Sequence, residues 1–119
     1  MNNKSSALST PLFQKVYDLY RLLHLYHDKI PKPKRYTIWQ KCESATLDLL
    51  EALIATSHLS GEKRLGSLRL MSQKIDLLKV LTRLAKDTQT IDIKKYITIE
   101  TLLQEIGKMT GGWIKFVSR

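Results

Sequence analysis

Apolar residues recur along most of this chain in alternating steps of three and four, the spacing that lays side chains along one face of an α-helix. The first row is Leu12, Val16, Leu19, Leu23, Tyr26 and Ile30. Thr10-Pro11 precedes it: a hydroxyl able to cap a helix, then a proline at the first helical position, where its missing N–H does no harm. The spacing predicts a helix over residues 11–29. A second, broader face sets Ile38, Ala45, Leu49 and Ala52 beside Trp39, Thr46, Leu50 and Leu53. Thr37-x-x-Gln40 has the form of a capping box at its start, so a helix is expected over 37–58. After a break at Ser60-Gly61, Leu68, Met71, Ile75, Leu78, Thr82 and Ala85 predict a third helix over 62–88. Asp87-Thr88-Gln89-Thr90 reads as a polar turn, and Tyr96, Ile99, Leu103, Ile106, Trp113 and Phe116 predict a fourth helix over 92–116.

Between the first two helices lies Ile30-Pro31-Lys32-Pro33-Lys34-Arg35-Tyr36, which reads as an extended basic link because each proline biases its predecessor away from helix. Residues 1–9 are small and polar and read as a flexible N-terminal segment, which leaves residues 10–119 as one domain. Four helices of roughly 30 Å or more with short links meet along their apolar stripes, so the fold expected is all-α, an antiparallel up-down four-helix bundle. Two stripes are wider than one seam requires. Helix 3 carries Leu70, Leu77, Val80, Leu81 and Leu84 besides its main row, and helix 1 carries Phe13, Tyr17, Tyr20 and Leu22; this excess points to self-association. Gly111-Gly112 interrupts helix 4, each glycine costing about 1 kcal/mol relative to alanine. Either another backbone packs closely there, or the helix ends at Gly111 and Trp113 folds back; both readings bury Trp113. Trp39, Gly111, Gly112 and Trp113 are thus the structural or interface positions.

Composition narrows the function. At 119 residues and 43% hydrophobic the chain can close a single core. No apolar run approaches the ~20 residues that cross a bilayer, so a soluble, cytoplasmic protein without membrane contact is expected. Cys42 stands alone, and no Cys/His cluster has zinc-ligand spacing. His24 and His27 lie one turn apart, but the Glu-x-x-His pairs of a carboxylate metal bundle are absent. The glycines form neither standard phosphate-binding loop. No catalytic residue, cofactor or metal is assigned, and a non-enzyme is expected. The competing class is a bundle enzyme holding a metal with His24, His27 and carboxylates.

Charge is the stronger signal: 20 Lys and Arg against 11 Asp and Glu give a net +9. Lys32, Lys34 and Arg35 stand in the link, and Lys79, Arg83 and Lys86 form one stripe of helix 3, with Arg69 within roughly 80° of it. Together with Lys74 these residues are the candidate site. Their chemistry suits a polyanion, with mainly backbone contacts and low sequence selectivity in RNA or DNA, since no base-reading element accompanies them.

At these residues the chain resembles the accessory variability determinant proteins of diversity-generating retroelements. The resemblance is carried by Tyr17-Asp18-Leu19 in helix 1, the proline-basic link, and the closing Glu105-Ile106-Gly107-Lys108-Met109-Thr110-Gly111-Gly112-Trp113-Ile114-Lys115. It implies a homopentameric, barrel-like ring with a basic surface. Such a ring binds the element's reverse transcriptase and nucleic acid, and supports cDNA synthesis with errors at adenines in mutagenic retrohoming. The link also occurs in the wider set of four-helix proteins encoded in ribosomal RNA intervening sequences, which supplies a second reading: an RNA-binding bundle with no polymerase partner.

Overall fold

The computed structural model describes residues 10–119; the expectation for residues 1–9 lies outside them. Four long helices follow one another: α1 (Pro11–Tyr26), α2 (Gln40–Ser57), α3 (Gly61–Asp87) and α4 (Ile93–Val117). Each packs against two neighbours, in the cyclic order α1, α2, α3, α4. Neighbours run in opposite senses: Lys15 of α1 meets Glu105 of α4 at 2.9 Å, while Tyr26, at the far end of α1, lies under Lys95 at the start of α4. Likewise Lys86 covers Tyr96 and Arg64 covers Trp113 at opposite ends of the α3–α4 pair. The molecule measures 44 × 28 × 21 Å.

The core is built from the predicted rows. Leu12, Val16, Leu19, Leu23 and Ile30 are buried, as are Leu68, Met71, Ile75, Leu78, Thr82 and Ala85, and Ile99, Leu103 and Ile106. Four buried threonines, Thr46, Thr56, Thr82 and Thr110, donate their hydroxyls to the carbonyl four residues earlier, at 2.7–2.9 Å. That bond satisfies a polar group which would otherwise be costly in an apolar seam. Thr10 caps α1 as its position predicts, accepting from the Phe13 amide at 3.1 Å, and Asp92 caps α4 by accepting from the Lys95 amide at 2.8 Å.

The link departs from expectation. Only Ile30 and Pro31 are extended (ψ 134° and 133°); a helical turn begins at Lys32 and passes through a π-helical segment, Arg35–Trp39, straight into α2. Pro33 sits in the first turn, where a proline deletes no helical hydrogen bond, so its bias on Lys32 is overridden. Thr37 is consequently inside the helix, where its hydroxyl faces the Lys34 carbonyl at 3.4 Å, and no capping box forms. The wide π turn seats Trp39 in the core, fully buried, with its indole N–H donating to the Leu23 carbonyl at 3.2 Å. Trp39 therefore takes the structural of its two expected roles.

At the other end α4 runs unbroken through Gly111-Gly112 to Val117, which excludes a helix end at Gly111. Among the described residues no atom lies within 4 Å of a Cβ built on either glycine, so close backbone packing is not made between them. Trp113 is half-buried rather than buried, because it closes the bundle's end beside Leu12 and Met109 with Arg64 5.5 Å over its ring. Of the surplus apolar residues on α3, only Leu81 is buried; Leu70, Leu77, Val80 and Leu84 are 42–63% exposed. The series 66, 70, 73, 77, 80, 84 is itself a three-four alternation, so α3 carries a second, outward stripe.

The turn from α3 to α4 places Gln89 at φ 60°, with the Thr90 amide donating to the Ala85 carbonyl at 2.8 Å and the Gln89 amide to that of Lys86 at 3.0 Å. This is a Schellman closure with glutamine where glycine is the usual residue. Gln89→Gly is expected to stabilise the protein by about 1 kcal/mol through relief of the left-handed backbone, measured as an upward shift of the denaturant midpoint at unchanged slope.

Candidate nucleic-acid interface

Positive charge is unevenly shared between the two halves of the bundle. Residues 11–28 and 40–60, which comprise α1 and α2, hold three cations (Lys15, Arg21, Lys41) and five acids, a net −2. Residues 29–35 hold Lys29, Lys32, Lys34 and Arg35 without an acid, and residues 61–119 hold twelve cations and six acids, a net +6. Among the described residues, ion pairs engage only Lys15, Arg83, Lys86 and Lys95 of the Lys and Arg side chains. Most of the positive charge on the α3–α4 side is uncompensated.

The fold gathers much of it at one end. Arg35 donates to the carbonyls of Ile30 at 2.9 Å and Asp28 at 3.0 Å, which clamps the link onto the end of α1. Lys34 reaches across to donate to the Thr88 carbonyl at the C-terminus of α3, where carbonyl dipoles favour a cation. Lys32, two residues earlier, is exposed. Around the corner, Lys29, Lys94 and Lys95 line a cleft of about 350 Å³ with Tyr26, Asp92 and Thr98. Lys95 is partly committed there, lying 3.2 Å from Asp92 and 5.5 Å from the Tyr26 ring. Asp92 is held below the usual carboxylate range by the Lys95 amide and then the Lys95 ammonium. Sequence reasoning did not assemble this trio, since the end of α1 and the start of α4 become neighbours only when the bundle closes.

The helix 3 stripe continues from that end. Lys86 lies 3.5 Å from Asp87 and 4.8 Å over the Tyr96 ring, and Arg83 reaches the same carboxylate only at 4.0 Å. One carboxylate thus offsets two of the three cations, so this row is not free of acids. Lys79, half-buried, lines an α3–α4 cleft of about 460 Å³ with Ser72, Asp76, Gln104 and Lys108. Arg69 is exposed, and Lys74, five residues before Lys79, sits about 140° around the helix from it. The structure therefore brings Lys34, Arg83 and Lys86 to one end, extends that row to Lys79 and Lys108, and leaves Lys74 on another flank.

The remaining chemical candidates are placed as follows. His24 and His27 present near-parallel rings with centroids 6.5 Å apart, and His27 Nδ1 lies 3.3 Å from Glu43. Among the described residues no group of three or more His, Cys, Asp or Glu is positioned to hold a metal ion. Cys42 is buried in the core. Among the described residues no helix is long and apolar enough to cross a membrane.

Fold and charge together define a cationic protein whose described residues form four long helices. A family model described as bAvd-like matches residues 12–117, and the chain belongs to that family, the accessory variability determinants associated with diversity-generating retroelements. It is accordingly an accessory protein of such an element. No curated protein and no solved structure matches the chain.

Burial, and then the nearby Glu43 carboxylate, push the Cys42 thiol from its ordinary 9.0 up to about 12. The folded state thus favours the thiol, and its contribution to stability is complete below pH 9 and declines as pH rises from there toward 12. Cys42 in the native protein is expected to resist alkylation at pH 8 and to react fully in denaturant; thiol labelling followed by mass measurement checks this.

Proposed function

We propose that this protein is a non-enzymatic subunit that assembles as a homopentameric, barrel-like ring and binds the retroelement's reverse transcriptase and nucleic acid. The observation that carries the reading is the charge asymmetry: a net +6 over residues 61–119 and four cations over residues 29–35, most of them outside any ion pair. A strand of template RNA or its cDNA laid along the α3–α4 side meets Lys79, Arg83, Lys86 and Lys108, and at the basic end Lys32, Lys34 and the Lys29, Lys94 and Lys95 cleft. Arg35 keeps its charge there while its N–H groups hold the link in shape. Such contacts neutralise phosphates and release counterions, which gives affinity without reading bases. The ring multiplies the cationic groups facing one strand, each copy adding another +9.

Support for self-association comes from the outward stripe of α3. Leu70, Leu77, Val80 and Leu84 repeat at coiled-coil spacing on a face that none of the four described helices covers, and buried apolar area drives association. The glycine pair in α4 offers a second place where another chain's backbone can approach.

Two measurements test the reading. Lys79→Glu, Arg83→Glu and Lys86→Glu combined are expected to lower nucleic-acid affinity at least about tenfold at unchanged helicity. They also flatten the plot of log K against log salt by about 0.7–0.9 for each phosphate that is no longer neutralised; an unaltered slope removes this row from the interface. Leu77→Lys with Leu84→Lys is expected to reduce the mass in light scattering from five subunits to one, and a wild-type protein of one subunit's mass rejects the ring.

A further inference from the structure

The α1–α2 side carries a feature that a polyanion does not use. Phe13, Tyr17, Tyr20, His24 and His27 occupy successive three-four positions of α1, one residue out of register with its core row, and every position of that stripe is aromatic. The rings form a ladder in two runs: Phe13 to Tyr17 at 5.9 Å, then Tyr20 to His24 at 6.2 Å, His24 to His27 at 6.5 Å, and His27 edge-on to Tyr36 at 6.5 Å. Tyr17 and Tyr36 are 45% and 69% exposed, and His24 is exposed as well.

Two observations indicate what this ladder lacks. Among the described residues, the cations that lie over aromatic rings are Arg64, Lys86, Lys95 and Arg119, on Trp113, Tyr96, Tyr26 and Phe116; no ladder ring carries one. In a chain with nearly twice as many cations as acids, Asp18 of α1, Asp28 in the turn after it, and Asp48 and Glu51 of α2 nevertheless form no ion pair among the described residues. Asp18 accepts only from Gln14, at 2.9 Å. The antiparallel register set by the His27–Glu43 contact brings Glu51, two turns further along α2, level with Tyr20 on α1. Arg21 on α1, Lys41 on α2, Lys29 beside Asp28, and Lys32 and Arg35 near Tyr36 are the cations of this neighbourhood, and Arg35 is committed to backbone carbonyls. Aromatic faces unoccupied by a cation, beside carboxylates unoccupied by a cation, are complementary to guanidinium groups, which stack on rings and bind carboxylates in the same pose.

We propose that the α1–α2 face is a docking surface for an arginine-rich segment of a partner protein. This goes beyond the nucleic-acid reading and occupies the opposite half of the bundle, so one subunit can hold a basic protein segment and a polyanion together. The net −2 of residues 11–28 and 40–60 makes this the half of a +9 molecule that a cationic segment can approach.

The test is fluorescence anisotropy of a labelled peptide of alternating arginine and serine, with its lysine counterpart, on the full-length protein at physiological salt. Saturable binding tighter for arginine than lysine is expected. Tyr17→Leu and His24→Leu combined should weaken it about tenfold or more. Asp18→Asn with Glu51→Gln, a change that leaves the rings intact, should weaken it similarly. Neither variant should reduce affinity for a single-stranded oligonucleotide, whereas the Lys79, Arg83 and Lys86 charge reversal does, so the two readings fail separately. Four results overturn the proposal: no saturable peptide binding, peptide binding indifferent to both variants, a drop in oligonucleotide affinity on removal of the rings, or a drop in assembly mass marking the face as a subunit contact.

Discussion

The indole of Trp39 is the fixed point from which the cationic end of the bundle is built. Fully buried and bonded to the Leu23 carbonyl, it sets where α2 starts relative to where α1 stops. The chain between them must then fold back within a few residues, which it does as a 3-10 turn, two extended residues and a π-widened helix start. Arg35 and Lys34 complete the arrangement by bonding carbonyls on either side, and the charges of the link are thereby carried to the end of α3. A buried aromatic thus decides the position of an exposed cationic surface.

The same economy governs α3. Its inward stripe completes the core, its outward stripe remains apolar, and the flank between α3 and α4 carries Lys79, Arg83 and Lys86. One helix therefore closes the core, leaves an apolar stripe exposed and presents charge, because a 3.6-residue period leaves room for three separate rows around a single cylinder. On α1 the neighbouring rows are divided differently, core against aromatic ladder, and the acids of α1 and α2 separate that half electrostatically from the other. Charge is thus divided unevenly across a small bundle, and a charged ligand meets a different field on each half.

Most of the helical architecture was legible in the residues because the core needs periodic apolar positions and little else. Val16, Leu49, Leu78 and Leu103 lie buried where their spacing put them. The link was misread for a local reason: a proline's effect depends on whether it falls before a helix or in its first turn, and Pro33 falls in the first turn. Thr37 illustrates the same limit, since a capping box is a pattern that a helix begun five residues earlier makes irrelevant. Trp113 is less buried than its hydrophobicity suggested because it sits at the end of the bundle, where neighbours exist on one side only.

By itself the sequence determined four amphipathic helices, a large positive charge, and the motifs that place the chain in its family, because each of these is carried by neighbours along the chain. Only the tertiary structure decided which charges meet. Lys29, Lys94 and Lys95 share a cleft although they are some 65 residues apart, Lys34 touches the end of α3, and Lys74 turns away from the row it was grouped with. Those outcomes follow from the antiparallel closure of the bundle, which brings the end of one helix beside the start of another, a juxtaposition that no local spacing encodes.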